Sequence, residues 1–244
     1  MPHRDRHAVL AILCGGFVAG LVPGLTGCQT DSSAVVRSGP GLAGDRGAVT
    51  GSTTHRVTDD AAFARGTGGD LTPERLRALA EAGDRNAQYL LGRRNHLGDG
   101  MPKDLAAAAR WYRLAAEQGQ ADAACSLGTM HQLGEGLPTN AVEAARWYAV
   151  AADRGHAAAA SNLGLMLLTA ETPERDLDRA ASLLRLAAGK GDANAQYLLA
   201  TMHHQGVGVA ADPTVARDWY RRSAEQGHRL TMHAMGVMLQ RGEG

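Results

Sequence analysis

Four stretches decide the fold of this 244-residue chain: AAAARWYRLAAEQG (106–119), VEAARWYAVAADRG (142–155), DRAASLLRLAAGKG (178–191) and TVARDWYRRSAEQG (214–227). Each begins 36 residues after the one before. Within each, the apolar positions recur every three or four residues, the period of a helix with one buried face. A glycine closes each stretch, as suits a residue that must leave a helix with positive φ. A short polar residue, Asp104, Asn140, Asp176 or Asp212, stands just before each helix. Its side chain can accept from the unpaired amides of the first turn.

Working outward, the same spacing governs a second helix in every unit. Gly92, Gly128, Gly164 and Ala200 are in phase, and so are the loops Gly98-Asp99-Gly100, Gly134-Glu135-Gly136 and Gly206-Val207-Gly208. A constant period over four units is the signature of a solenoid of stacked helical hairpins. Ten helices are expected, including a leading one near 73–82 and a last one near 230–240. A glycine inside a helix costs about 1 kcal/mol relative to alanine. Its recurrence at Gly92, Gly128 and Gly164 points to close contact with a large ring from the second helix, drawn from Trp111-Tyr112, Trp147-Tyr148 or Trp219-Tyr220. In the third unit Leu183-Leu184 replaces the aromatic pair and Thr169-Ala170-Glu171-Thr172-Pro173 replaces the glycine loop, so the loosest joint is expected there.

The pattern Ala-x-Tyr-x-x-Gly (from Ala87), Gly-x-Gly, Asp/Asn, Ala-x-x-Trp-Tyr, Ala-Ala-x-x-Gly resembles the Sel1-like repeat, a relative of the tetratricopeptide repeat. The resemblance covers 71–244, with units near 87–122, 123–158, 159–194 and 195–230 and a partial unit at 231–244. It implies an all-α, right-handed solenoid that acts as a scaffold for other proteins, with the first helix of each unit lining a concave groove. A cysteine-rich branch of the family includes members reported to bind or cleave β-lactams. This chain lacks the repeat cysteines, so that activity is not carried over.

Composition agrees. With 44% hydrophobic residues but only two Phe, three Trp and five Tyr, the core must be built from small side chains and closely packed backbones. Lys+Arg and Asp+Glu both number 25, which removes the electrostatic case for nucleic-acid binding.

The first 27 residues read as a leader. His3, Arg4, Arg6 and His7 precede an apolar run from Ala8 to Val22 that is too short and glycine-broken to span a bilayer. Leu25-Thr26-Gly27-Cys28 resembles a bacterial lipobox, which would make Cys28 the lipidated first residue of the mature chain. Acyl chains contribute about 0.8 kcal/mol per buried CH₂. The expected place is the bacterial cell envelope, lipid-anchored at the outer membrane and facing the periplasm. Residues 28–70 are rich in Gly, Ser, Thr and Asp and read as a disordered linker; about 42 such residues reach roughly 35 Å. Cys14 leaves with the leader and Cys28 carries lipid, so Cys125 is expected as a lone buried or lining thiol without a disulfide.

Partner contacts are expected on the first helix of each unit, opposite Ala87 and Leu91. Tyr89, Arg93 and His96 share a face there by their i, i+4, i+7 spacing. The period carries that face to Cys125, Thr129 and Gln132, to Ser161, Leu165 and Leu168, and to Tyr197, Thr201 and His204. These residues vary while the packing face repeats. The expected partner is a protein or peptide, and the chain itself is expected to meet the membrane through its N-terminal lipid.

No catalytic residue, cofactor or metal site is expected. His96, His131, His203 and His204 lack ligand spacing. Glu117, Asp153 and Glu225 read as solvated, and no nucleophile-and-base motif exists. The alternatives to a scaffold are a cell-wall-directed or β-lactam-binding hydrolase, and a surface factor that binds host proteins.

Overall fold

A computed structural model describes residues 72–169 and 176–240. The leader, Cys28, the linker to residue 70 and the 170–175 segment of the expected loose joint lie outside the described residues. Among the described residues ten helices follow one another: α1 Pro73–Glu81, α2 Arg85–Leu97, α3 Leu105–Glu117, α4 Ala121–Leu133, α5 Ala141–Asp153, α6 Ala157–Thr169, α7 Leu177–Gly189, α8 Ala193–Gln205, α9 Pro213–Glu225 and α10 Arg229–Gln240. The strongest packing is within the pairs α2/α3, α4/α5, α6/α7 and α8/α9, and each pair then packs on the next. The molecule is therefore an α-solenoid, and no described helix is long and apolar enough to cross a membrane.

The glycine register explains the pairing. A Cβ built at Gly128 would lie 2.8 Å from the Tyr148 ring, one at Gly92 would lie 2.8 Å from the Tyr112 ring, and one at Gly164 would lie 2.8 Å from Leu184 Cγ. The ring seated on bare backbone is the tyrosine in every case where one is present. The preceding tryptophan sits beside it: Trp147 is buried, while Trp111 and Trp219 are half-buried at cluster edges. Burying such a side chain contributes roughly 1.5–3 kcal/mol, more than the glycine costs. Ala200 holds the same register and joins a buried cluster with Tyr220, so one methyl group is accommodated there after adjustment of the pair.

Caps fix the helix starts. Asp104 accepts from Ala107 N at 2.8 Å and Asn140 from Val142 N and Glu143 N at 3.1 Å. Asp176 and Asp212 do the same for α7 and α9. The first helices carry a cap register of their own, which the sequence reading missed: Asp84, Gln120, His156 and Asp192 accept from the opening amides of α2, α4, α6 and α8. Its chemistry changes from unit to unit, which hides it.

Glycine and glutamine join one unit to the next. Gly136 has φ +69°, and a Cβ there would stand 2.5 Å from Leu105 Cβ of the preceding unit. Gln118 Nε2 donates to Gln88 Oε1 at 2.7 Å while Gln88 Nε2 donates to Ala80 O at 3.1 Å. Gln226, Gln196 and Ala188 repeat the arrangement further along. These amides satisfy carbonyls at helix ends that the stack would otherwise bury unpaired.

Replacing Gly128 with Val places branched carbons on the Tyr148 ring and is expected to destabilise the domain by about 1–3 kcal/mol. Gly128→Ala, which recreates the Ala200 arrangement, is expected to cost less than Gly128→Val. Urea unfolding followed by circular dichroism checks both; equal midpoints for wild type and Gly128→Val overturn the contact argument.

Candidate recognition face

The tyrosine that seats on glycine also organises the residues expected to meet a partner. In the first unit, the rings of Tyr89 and Tyr112 lie 5.9 Å apart, and His96 meets Tyr112 edge-on at 6.0 Å. The fourth unit repeats this with Tyr197 and Tyr220 at 6.0 Å and His204 and Tyr220 at 6.3 Å, edge-on. His228 adds a further ring, 5.2 Å from Tyr197. In the second unit the contact is polar: the Tyr148 hydroxyl donates to Gln132 Oε1 at 2.7 Å and lies 3.0 Å from Thr129 Oγ1.

The face expected from helical spacing divides accordingly. Tyr89, His96, Gln132, Leu165, Tyr197 and His204 are half-exposed. The middle row is corrected: Arg93, Thr129 and Thr201 are buried, with Thr129 only 2% exposed. Each threonine hydroxyl turns back on its own helix, Thr129 to Cys125 O at 3.2 Å and Thr201 to Tyr197 O at 2.9 Å. Each also meets a tyrosine hydroxyl at 3.0 Å. In the first, second and fourth units the i+4 side chain is therefore buried in the helix pair; in the first and fourth the flanking positions one turn either way remain at the surface, in the second only Gln132 does, and in the third Leu165 itself is half-exposed. Ser161 and Leu168 are likewise buried.

Cys125 is fully buried and disulfide-bonded, which corrects the expectation of a lone thiol; the described residues hold no second cysteine. His131 is buried with both ring nitrogens lacking a hydrogen-bond partner. Among the described residues, no three His, Cys, Asp or Glu side chains are grouped to hold a metal ion.

Burial sets the protonation of the face. It raises Tyr148 and Tyr197, and pushes Tyr220 up to about 12 against the opposing Thr201 hydrogen bond. Burial lowers His96 below its ordinary 6.5, although Glu135, 3.1 Å from Nε2, pulls the other way. The same desolvation lowers His228 against Asp192, and lowers His131 against Glu143. Neutral phenols and neutral imidazoles offer aromatic faces and single hydrogen bonds, a chemistry suited to holding a peptide.

Two inter-unit histidine contacts run along one edge of this face. His156 Nδ1 accepts from Ala159 N at 3.1 Å, and its Nε2 stands 3.3 Å from Asp122 Oδ1 in the preceding unit. His228 likewise spans Thr231 Oγ1 at 2.7 Å and Asn194 Oδ1 at 2.8 Å.

A histidine whose pKa falls on folding binds fewer protons in the folded state than in the unfolded one. Stability from His96, His131 and His228 is therefore intact above their ordinary value and declines as pH falls through it. Asp122, held below the usual carboxylate range chiefly by its His156 hydrogen bond, stays ionised across that window. The melting temperature is expected to drop between about pH 7 and about pH 5, and His228→Asn is expected to flatten the slope. Scanning calorimetry at the two pH values checks this; a flat or rising profile contradicts the assignment.

Comparison with known proteins comes to the same place. The Sel1 repeat family matches residues 85–120, 121–156, 157–192 and 193–228. The chain is similar to a Sel1 repeat protein from Oxalobacter formigenes, with 31% identity, a TM-score of 0.64 and coverage of 73% of each chain. It is also similar to c5321, described as a protective antigen of uropathogenic Escherichia coli with an SLR fold: 36% identity, a TM-score of 0.67 and coverage of 71% of this chain but only 37% of that one. A short match, 58% identical over 33 residues, links it to chitin synthase regulatory factor 3 of Schizosaccharomyces pombe and spans 4% of that protein.

Proposed function

The chain belongs to the Sel1 repeat family, and from that membership we propose that it is a lipid-anchored scaffold of the bacterial cell envelope. Sel1-repeat proteins generally mediate protein–protein interaction. In this reading the solenoid holds a protein or peptide against Tyr89, His96, Gln132, Leu165, Tyr197 and His204. The observation that carries it is the division of the face: Tyr89, His96, Gln132, Tyr197 and His204 stand half-exposed around the buried Tyr112, Tyr148 and Tyr220, and Leu165 stands half-exposed beside the Leu184 cluster. A preorganised surface loses little entropy on binding. Enzymatic turnover has no place in this reading.

The anchor rests on the leader and on Cys28 in Leu25-Thr26-Gly27-Cys28. Outer-membrane placement facing the periplasm is the working location. Display at the cell surface is a second reading, favoured by the likeness to a protein described as a protective antigen; protease digestion of intact cells separates the two.

Cys28→Ala is expected to abolish incorporation of labelled palmitate and release the chain from membranes. Unchanged palmitate labelling in the variant removes the anchor. A photo-reactive side chain at Tyr89, Gln132 or Tyr197 is expected to crosslink a discrete partner in cells. A crosslinker at Arg221, exposed on α9, is the control; partner capture there and not from the three face positions overturns the assignment of the face.

A further inference from the structure

The second helices of the hairpins, which take no part in the face above, carry an outward pattern of their own. Along α3 the exposed side chains run Arg110, Leu114, Glu117, and along α5 Arg146 and Asp153 are exposed with Val150 half-buried between them. The spacing i, i+4, i+7 sets them on one stripe of each helix. On α7 the charged ends are replaced by Ser182 and Gly189, and Leu186 holds the centre. Leu114 and Leu186 are 44% and 43% exposed, large apolar side chains facing water at the same register in two units. The C-terminal ends of these helices stand side by side: Lys190 Nζ donates to Gly155 O at 2.8 Å across one boundary. The units therefore align the stripes into three parallel rows, guanidinium, apolar and carboxylate.

We propose that this face binds a second copy of the chain, back to back, about a two-fold axis parallel to the solenoid. That operator turns the facing helices antiparallel. It brings Arg110 opposite Glu117 of the second copy, Arg146 opposite Asp153, and Leu114 and Leu186 onto their own counterparts. An isologous contact must be complementary to itself, and rows ordered basic, apolar, acidic meet that condition under this axis. Under the perpendicular axis like charges would meet. The fourth unit breaks the pattern, with Asp218 at the basic position and Arg222 at the apolar one, so the contact is confined to α3, α5 and α7. An anionic bilayer would attract the arginine row but oppose the carboxylate row beside it, which favours the second copy as occupant. Arg146 is held by an exposed i, i+3 pair with Glu143 at 3.6 Å and stands 5.8 Å from the Trp147 ring centroid, both weak competitors.

The test is sedimentation equilibrium of the full-length chain in a mild nonionic detergent, with circular dichroism to confirm folding. Wild type is expected to dimerise. The double reversal Glu117→Arg, Asp153→Arg and the opposite one, Arg110→Glu, Arg146→Glu, are each expected to weaken dimerisation by about tenfold or more. An equimolar mixture of the two variants is expected to recover the dimer, because each then supplies the charge the other lacks. A monomeric wild type, a dimer indifferent to both reversals, or variants that fail to complement one another would overturn the proposal. So would a wild type that stays monomeric and pellets with anionic phospholipid vesicles, which would assign the face to a membrane.

Discussion

The seating of a ring from the second helix of a unit on the bare backbone of the first is the contact from which the architecture of the chain follows. With so few aromatic residues, the core cannot be filled by bulk. It is filled by proximity, with Ala108, Ala115, Ala123, Ala144, Ala151 and Ala159 fully buried between helices that approach closely. Tyr112 and Tyr148 each supply one large group per unit, and Gly92 and Gly128 supply the space for it. Where Leu184 replaces the ring, Gly164 still takes the contact. Where Ala200 replaces glycine, the ring is retained beside it. Each unit alters one member of the pair at most.

That contact also decides what is left for recognition. Once the ring is on the glycine, its hydroxyl lies at the third turn of the first helix and must be satisfied there, because a buried unpaired hydroxyl is costly. Thr129, Gln132 and Thr201 do so. The neighbouring side chains are then held by rings instead of by bonds, and they remain half-exposed. Packing and recognition are thus two edges of one cluster, with the tyrosine between them. The stacking of units depends on a different set of groups: paired glutamines, the Gly136 approach to Leu105, and the histidines that reach from one cap to the previous unit. These are polar or tight contacts, and desolvation of His96, His131 and His228 disfavours their protonation, so the stack is more sensitive to acid than its small apolar core alone would be.

Much of this was legible in the sequence because a repeat displays the same physical requirement several times. The period, the ten helices, the Asp/Asn caps of α3, α5, α7 and α9, and the glycine-against-ring contact all recur in phase. The caps of α2, α4, α6 and α8 escaped, since Asp, Gln and His meet one requirement with different chemistry. The recognition face was legible only in part. Helical spacing put Tyr89, Arg93 and His96 on one side of a cylinder, but a cylinder has no information about how far the neighbouring helix wraps around it. The partner helix reaches the Arg93, Thr129 and Thr201 row and buries it.

The sequence by itself determined the unit, its length and its two helices, because those depend on contacts within about 36 residues that each repeat states again. The tertiary structure alone decided which ring fills the glycine notch and which side chains of a polar stripe stay at the surface. It also decided the state of Cys125. Those outcomes turn on how two cylinders lie against each other, a matter of angles and depths of approach that no periodicity of residue types records.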